Sequence, residues 1–371
     1  MNPPDADLPL FPSLDSLETV LWPGLALVVF VVTAVIVDLM IILSTRFRLV
    51  DLPNRRSAHA LPTARGGGVA IALLASLASL VAAYRWPYLS GRILLGVVGP
   101  SLVIAAVGMI DDIRPLRPLL RLAIQIAVAV MMTAVLGPVP GFALPGLVAV
   151  SFGVFAWPLT VLWIVGLVNA FNFMDGADGM AGLGAVVVGI AIAAISYRIG
   201  ALAPMLLAAF TAAAAGGFLV FNWQPARVFM GDVGSGFLGM LFAGLPLLVR
   251  DSLIEQAVVP IVMCLWPYIY DPFLSVLRRI WNRENPLEPH REFLFHRLVR
   301  SGVSHTRVAL LYAGLSAVGG ILGLGMVSPA IPTEIRCWLP LGVVILAVGL
   351  TYSIERRCSR VVLEPVGRAC T

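Results

Sequence analysis

ILLGVVGPSLVIAAVGMIDD, residues 93–112, is the stretch on which the fold turns. Its first part, 93–110, carries no charge, and it ends on two adjacent carboxylates, Asp111 and Asp112. A helix needs about 20 mostly apolar residues to cross the hydrocarbon core of a bilayer, so 93–110 reads as a span with its acids at the rim. Ten more such stretches lie on either side of it, at 21–43, 66–84, 118–136, 153–173, 180–197, 201–221, 234–249, 255–277, 308–328 and 337–353. The expected fold is therefore all-α: a polytopic transmembrane bundle of about eleven spans, forming one integral membrane domain over residues 1–371. Prolines inside it, such as Pro158, Pro204 and Pro267, are tolerable where neighbouring helices satisfy the freed carbonyls. The first span is long and lacks a small-residue cleavage site, so it reads as retained.

Composition agrees. Hydrophobic residues make up 59% of the 371 and charged residues only 12%, with a mean hydropathy of +0.95. A soluble domain would carry about 25% charged residues, so no ordinary soluble domain fits between the spans. The net charge of +5 comes from 25 arginines, since the chain contains no lysine. Cys264, Cys337, Cys358 and Cys370 show no metal-ligand spacing and receive no role.

The arginines set the expected orientation. Counting Arg121 in the first turn of span four, twenty fall on one set of connections: 44–65, 111–117, 174–179, 222–233, 278–307 and the tail after 353. Five, namely Arg85, Arg92, Arg198, Arg250 and Arg336, fall on the other. The positive-inside bias then puts the N-terminus in the periplasm and the C-terminus in the cytoplasm.

Five acids, Asp111, Asp112, Asp175, Asp178 and Asp232, lie at span ends of the arginine-rich side. Acids at the rim of a membrane bundle are costly unless they meet a cation, a cavity or a partner. Asp175 and Asp178 are three apart and would share a face on a helical turn. Asp232 stands in the glycine-rich run 229–236, FMGDVGSG, just before an apolar helix. Clustered carboxylates suit a hard divalent cation, and Mg²⁺ takes one or two of them while sharing its other positions with water and substrate phosphates. The glycine-rich turn before span eight could also offer a helix N-terminus to phosphate. Blander accounts exist: a solvated helix end for Asp111 and Asp112, close helix packing for the glycines of 176–184, and a plain loop at 231–236. Together they require three coincidences on one membrane face.

Two loops on that face carry histidine and arginine. One runs from Asp51 through Arg55, Arg56 and His59 to Arg65 and Gly66-Gly67-Gly68; the other, 278–307, holds His290, Arg291, His296 and Arg297. Arginine presents a planar fork of donors suited to phosphate oxygens, although orientation or contact with anionic lipid explains such charge equally well. His305 reads as a bystander.

With these segments in order, the chain resembles the polyprenyl-phosphate N-acetylhexosamine-1-phosphate transferases over about residues 40–310. The resemblance rests on 51–68, Asp111-Asp112, 169–179 (NAFNFMDGADG), 229–235 and the His290 loop. The form of the first motif looks closest to the branch that initiates O-antigen, and hence lipopolysaccharide, synthesis. The resemblance implies transfer of a sugar 1-phosphate from a UDP-N-acetylhexosamine to undecaprenyl phosphate, releasing UMP, with Mg²⁺ or Mn²⁺ required. It implies Asp232 as principal metal ligand, with Asp112 and Asp175 beside it, and a catalytic set of Asp111, Asp112, Asp175 and His290. Asn169, Asn172 and Asp178 would hold the nucleotide sugar, and Phe229 would stack on uracil. Arg55, His59, Arg65 and Arg291 would meet substrate phosphates or sugar.

Two departures stand out. The family's His-x-His-His cluster is here His290-Arg291-Glu292-Phe293, which keeps only the first histidine. Arg65 also stands where relatives place a lysine, preserving charge but not geometry. The expected setting is a bacterial inner membrane with the site facing the cytoplasm. The expected partners are the two substrates and membrane lipid, with a homodimer open and no nucleic acid. The rival class is a proton- or ion-coupled transporter or flippase, against which stands the gathering of acids at one face instead of the midplane.

Overall fold

The computed structural model describes residues 16–46, 50–51, 63–85, 91–249, 251–285 and 292–363. Eleven helices in it are long and apolar enough to cross a membrane, and each coincides with one of the eleven expected spans to within five residues at either end. They are carried by α1 Ser16–Arg46, α2 Gly68–Arg85, α3 Gly99–Ile113, α4 Pro118–Leu136, α5 Ala156–Met174, α6 Met180–Arg198, α7 Leu202–Asn222, α8 Gly231–Gly244 and α9 Asp251–Trp281. A short α10, Leu294–Arg300, precedes α11, His305–Met326; the small α12, Thr333–Arg336, leads into α13, Leu339–Leu363. A π turn at Leu94–Val98 opens the third span ahead of α3. Pro158 and Pro204 fall in first turns of α5 and α7, where the missing N–H has no intrahelical partner to lose. Pro267 lies inside α9 with Pro260 and Pro272.

Helix α8 is the centre: 89% of its span is buried, against 22% for α1 and 17% for the last span. It packs on α2, α3 and α5, while α6, α7, α11 and α9 form the adjoining layer. Centrality explains its composition. A Cβ on Gly68 would strike the backbone of Gly234, and one on Gly108 would strike the backbone of Asp232, so glycine lets α2 and α3 approach α8 at main-chain distance. The glycine run 231–236 is thus the first part of a packed helix, and the loop reading is wrong. Span eight starts three residues earlier than its hydropathy suggests, at Gly231. Glycine at this helix start hides the boundary from any apolar count.

The small strands hold the motifs in register. β1 Val50–Asp51 pairs antiparallel with β2 Thr63–Ala64, and Asp51 faces Thr63. Phe229 N–H donates to the Ala64 carbonyl at 2.8 Å, and the N–H groups of Gly67 and Gly68 donate back to Phe229 and Met230 at 3.0 Å each. The Arg65–Gly68 segment is thereby joined to the chain entering α8. A second hairpin, β3 Gly141–Phe142 with β4 Val150–Ser151, precedes α5.

Candidate active site

Three elements bring the acids together. Asp111 and Asp112 sit in the last turn of α3, Asp175 directly follows α5, and Asp232 is the second residue of α8. Asn172, in the last turn of α5, donates from Nδ2 to Asp232 Oδ1 at 2.8 Å and to Ser235 Oγ at 3.1 Å. Asp112 accepts the N–H groups of Asp232 and Val233 at 3.2 and 3.4 Å. Its carboxylate therefore caps the N-terminus of α8, the end where an anion is most favourable. This corrects the expectation that a substrate phosphate would occupy that helix end. Gly231 makes the cap possible: its φ of +74° suits glycine, and a Cβ there would meet the Asp112 carboxylate.

Arg121, in the first turn of α4, completes the group. Its Nη1 lies 3.0 Å from Asp232 Oδ2 and also bonds Asp111 Oδ2, while Asp111 Oδ1 accepts the Leu116 N–H at 2.6 Å. From sequence alone Arg121 marks only orientation. Its signal was present, since it is a guanidinium within an apolar span on the face where the acids gather. Arg65, exposed, lies close enough for its charge to act on Asp112.

Asp175 differs from the others. Among the described residues no hydrogen bond reaches its half-buried carboxylate. Loss of surrounding water, followed by the like charges of Asp232 and Asp112, pushes its carboxyl well above the usual carboxylate range. A divalent cation is the counter-charge that would reverse this, so the donor chemistry fits one. The anticipated triad of Asp232, Asp112 and Asp175 is nevertheless not assembled. Among the described residues no three His, Cys, Asp or Glu side chains are grouped closely enough to hold a metal. The reason is visible: Asp112 is turned to the α8 backbone and Asp232 to Arg121 and Asn172.

Asp175 and Asp178 do not share a helical face either. Residues 175–179 form a turn between α5 and α6. Asp178 looks across it, 3.6 Å from His305 Nδ1, and accepts the Ala226 N–H at 3.3 Å. His305, which also accepts the Asp178 N–H at 3.3 Å, is thus no bystander. Asn222, buried at the end of α7, fastens the same turn by accepting the Gly179 N–H at 3.0 Å and donating to the Val228 carbonyl at 2.8 Å. Asn169 lies one turn inside the bundle, where its Nδ2 donates to Gln125 Oε1 at 2.7 Å. Phe229 is half-buried beside β2.

Arg55, His59, His290 and Arg291 lie outside the described residues. Among the described residues, a second histidine besides His305, His296, stands beside the 175–179 turn. It stacks on Phe295 at 4.0 Å, and Gly176, next to Asp175, leaves room for both rings: a Cβ there would come within 2.8 Å of Phe295 and 3.3 Å of His296 Nε2. Asp271 fixes α10 behind them by accepting the N–H groups of Leu294 and Phe295 at 2.6 and 3.1 Å and the Tyr312 hydroxyl at 2.6 Å.

Between them α5 and α9 form an open apolar groove of about 510 Å³, lined among others by Leu159, Leu162, Gly166, Phe173, Pro272 and Phe273. Along α5 it runs from residue 159 to Phe173, about 21 Å at 1.5 Å per residue. Phe173 is one residue from the end of α5, so this end of the groove lies at the level of the helix end that leads into Asp175.

A membrane bundle with carboxylates and arginine gathered at one end, and an apolar groove along two of its helices, has the parts needed to hold a charged group on a lipid chain. Residues 94–250 match glycosyl transferase family 4. The chain is 31% identical over 331 residues to the probable undecaprenyl-phosphate N-acetylglucosaminyl 1-phosphate transferase of Bacillus subtilis (strain 168), covering 86% of this chain and 89% of that one. It is 31% identical over 317 residues to the decaprenyl-phosphate N-acetylglucosaminephosphotransferase of Mycolicibacterium smegmatis, covering 75% and 76%. A phospho-N-acetylmuramoyl-pentapeptide-transferase of Streptococcus thermophilus is 35% identical over 167 residues, covering 42% and 48%. The chain belongs to the polyprenyl-phosphate N-acetylhexosamine-1-phosphate transferases.

Proposed function

We propose that this enzyme transfers an N-acetylhexosamine 1-phosphate from a UDP-sugar to undecaprenyl phosphate, giving undecaprenyl-diphospho-sugar and UMP. The reaction would begin O-antigen or a related envelope polysaccharide at a bacterial inner membrane. The arginine bias favours a site that faces the cytoplasm. The observation that carries the reading is the gathering of Asp111, Asp112, Asp175 and Asp232 at one bundle end, the end at which the apolar α5–α9 groove reaches Phe173. A prenyl chain lying in the groove delivers its phosphate to the carboxylate end.

In the reaction, an oxygen of the lipid phosphate attacks the sugar-bearing phosphorus of the donor. The bond from that phosphorus to the oxygen bridging to UMP breaks, and UMP leaves with the electron pair. A phosphate monoester has its second pKa near 6, so the acceptor is largely dianionic at neutral pH and needs no obligatory base. What the protein must supply is position and neutralisation of charge. Mg²⁺ or Mn²⁺ would be held by Asp232 and Asp175 and would neutralise diphosphate oxygens. Asp112 sets the α8 backbone, and with it Asp232. Asn172 orients the Asp232 carboxylate, and Arg65 and Arg121 offer guanidinium donors to phosphate. A transporter is disfavoured because the two other aspartates within spans are committed, Asp38 to Arg227 at 3.5 Å and Asp271 to α10 and Tyr312.

The test is purified protein in detergent with undecaprenyl phosphate and a panel of UDP-N-acetylhexosamines, following UMP and lipid product with and without Mg²⁺. UDP-N-acetylglucosamine goes first, because two of the relatives carry that sugar in their names. Cation-dependent UMP release matched by lipid diphosphosugar is expected; no UMP from any donor with folded protein would refute the reading. A second variant tests the groove. Gly166 faces open space within it, so Gly166→Phe should fill it and raise KM for the lipid acceptor about tenfold, the equivalent of about 1.4 kcal/mol. KM for the donor should stay put. Equal changes in both would remove the prenyl chain from this groove.

A further inference from the structure

We infer that Arg121 is a resident counter-ion for the acid cluster, which an incoming divalent cation must displace from Asp232. The inference rests on the transferase reading above and concerns how its site is filled. Both oxygens of Asp232 are engaged, Oδ1 by Asn172 Nδ2 at 2.8 Å and Oδ2 by Arg121 Nη1 at 3.0 Å. The same Arg121 nitrogen bonds Asp111, so one guanidinium spans carboxylates from two helices. The cavity beside it, lined by Arg121, Gln125, Asn172 and Asp232, measures only about 20 Å³. That is room for one water, not for a cation that keeps several of its own waters. Guanidinium and hydrated cation therefore compete for Asp232.

Competition explains how four acids can crowd one bundle end before a cation binds. Arg121 bridges two of them through Nη1, offsets part of their charge and ties α3 to α8. It leaves Asp175, which Arg121 does not reach among the described contacts, to attract the cation. Once displaced, Arg121 stays tethered to Asp111, and its freed donors turn to the diphosphate. Loss of Arg121 should therefore split two quantities that normally fall together. The site should bind a divalent cation more tightly while turning over more slowly.

The experiment is Mn²⁺ binding to the purified full-length protein without substrates, followed by electron paramagnetic resonance of free Mn²⁺, for wild type, Arg121→Gln and Arg121→Lys. Arg121→Gln should bind Mn²⁺ at least tenfold more tightly, and Arg121→Lys, which retains the charge, should stay near wild type. A damaged site binds more weakly, so the sign separates competition from mere disruption. Unchanged or weaker binding in Arg121→Gln overturns the inference and leaves the transferase reading standing. No Mn²⁺ binding in either protein, with substrates or without, overturns the cation part of that reading and this inference with it. Wild type alone supplies a second measurement: Mn²⁺ should increase modification of Arg121 by phenylglyoxal, mapped by peptide mass spectrometry. Unchanged modification in the presence of bound Mn²⁺ overturns the inference even if no variant folds.

Discussion

Asp232→Asn is expected to lower UMP release by about a thousandfold, the upper range for removal of one electrostatic contact to a transition state. The substitution preserves shape and removes one negative charge from the point where α3, α5 and α8 meet. Asn172 Nδ2 loses its anionic acceptor and Arg121 retains only Asp111. The cation loses a carboxylate that water does not replace at equal affinity. Stability should move the other way or not at all. Asp232 stands near Asp111, Asp112 and Asp175, with Arg121 bonded into the group and the charge of Arg65 acting on Asp112. Neutralising one of several crowded like charges relieves repulsion. Thermal unfolding in cation-free detergent should therefore occur at the wild-type temperature or above it. A variant that is inactive and also unfolds early would mean that Asp232 serves the fold, and the site would have to be sought elsewhere.

The opposite behaviour of charge and backbone at this site also explains what the sequence could disclose. The spans were legible because the bilayer imposes a length and a polarity on each, which 93–110 and 118–136 display without any knowledge of neighbours. Convergence of Asp111, Asp112, Asp175 and Asp232 was legible for a related reason: alternate span ends must share a side. Orientation of each side chain was not. Asp112 reads as a ligand until the α8 N–H groups are found against it. Asp178 reads as a partner of Asp175 until the chain between them proves to be a turn and His305 its neighbour. Arg121 reads as a topological marker because its anchors lie 10 and 111 residues away along the chain. Glycine carries no polarity at all, so 231–236 could be loop, packing surface or phosphate cradle. Only the backbone pressed against each Cα decides among these.

Gly108→Ala should show that decision as a loss of activity without any change of chemistry. The added Cβ would overlap the Asp232 carbonyl and lie 2.7 Å from the Val233 nitrogen, all main-chain atoms of a helix buried on every side. No rotamer relieves such a contact, so α3 must shift away from α8, at a cost of about 1–3 kcal/mol for overpacking. The Asp112 cap has no slack, since its hydrogen bonds to Asp232 and Val233 already measure 3.2 and 3.4 Å. Moving α3 by a few tenths of an ångström breaks them and carries Asp111 and Asp112 off their positions relative to Asp232. Displacement of reacting groups by about 1 Å can cost 10²-fold, so a loss of up to about a hundredfold in UMP release is expected alongside the lowered unfolding temperature. Gly314→Ala is the control, because a Cβ on Gly314 meets nothing within 4 Å. It should unfold and turn over as wild type does. If Gly108→Ala were as active as Gly314→Ala, α3 and α8 would not be held at main-chain distance, and the carboxylate geometry built on that contact would fall with it.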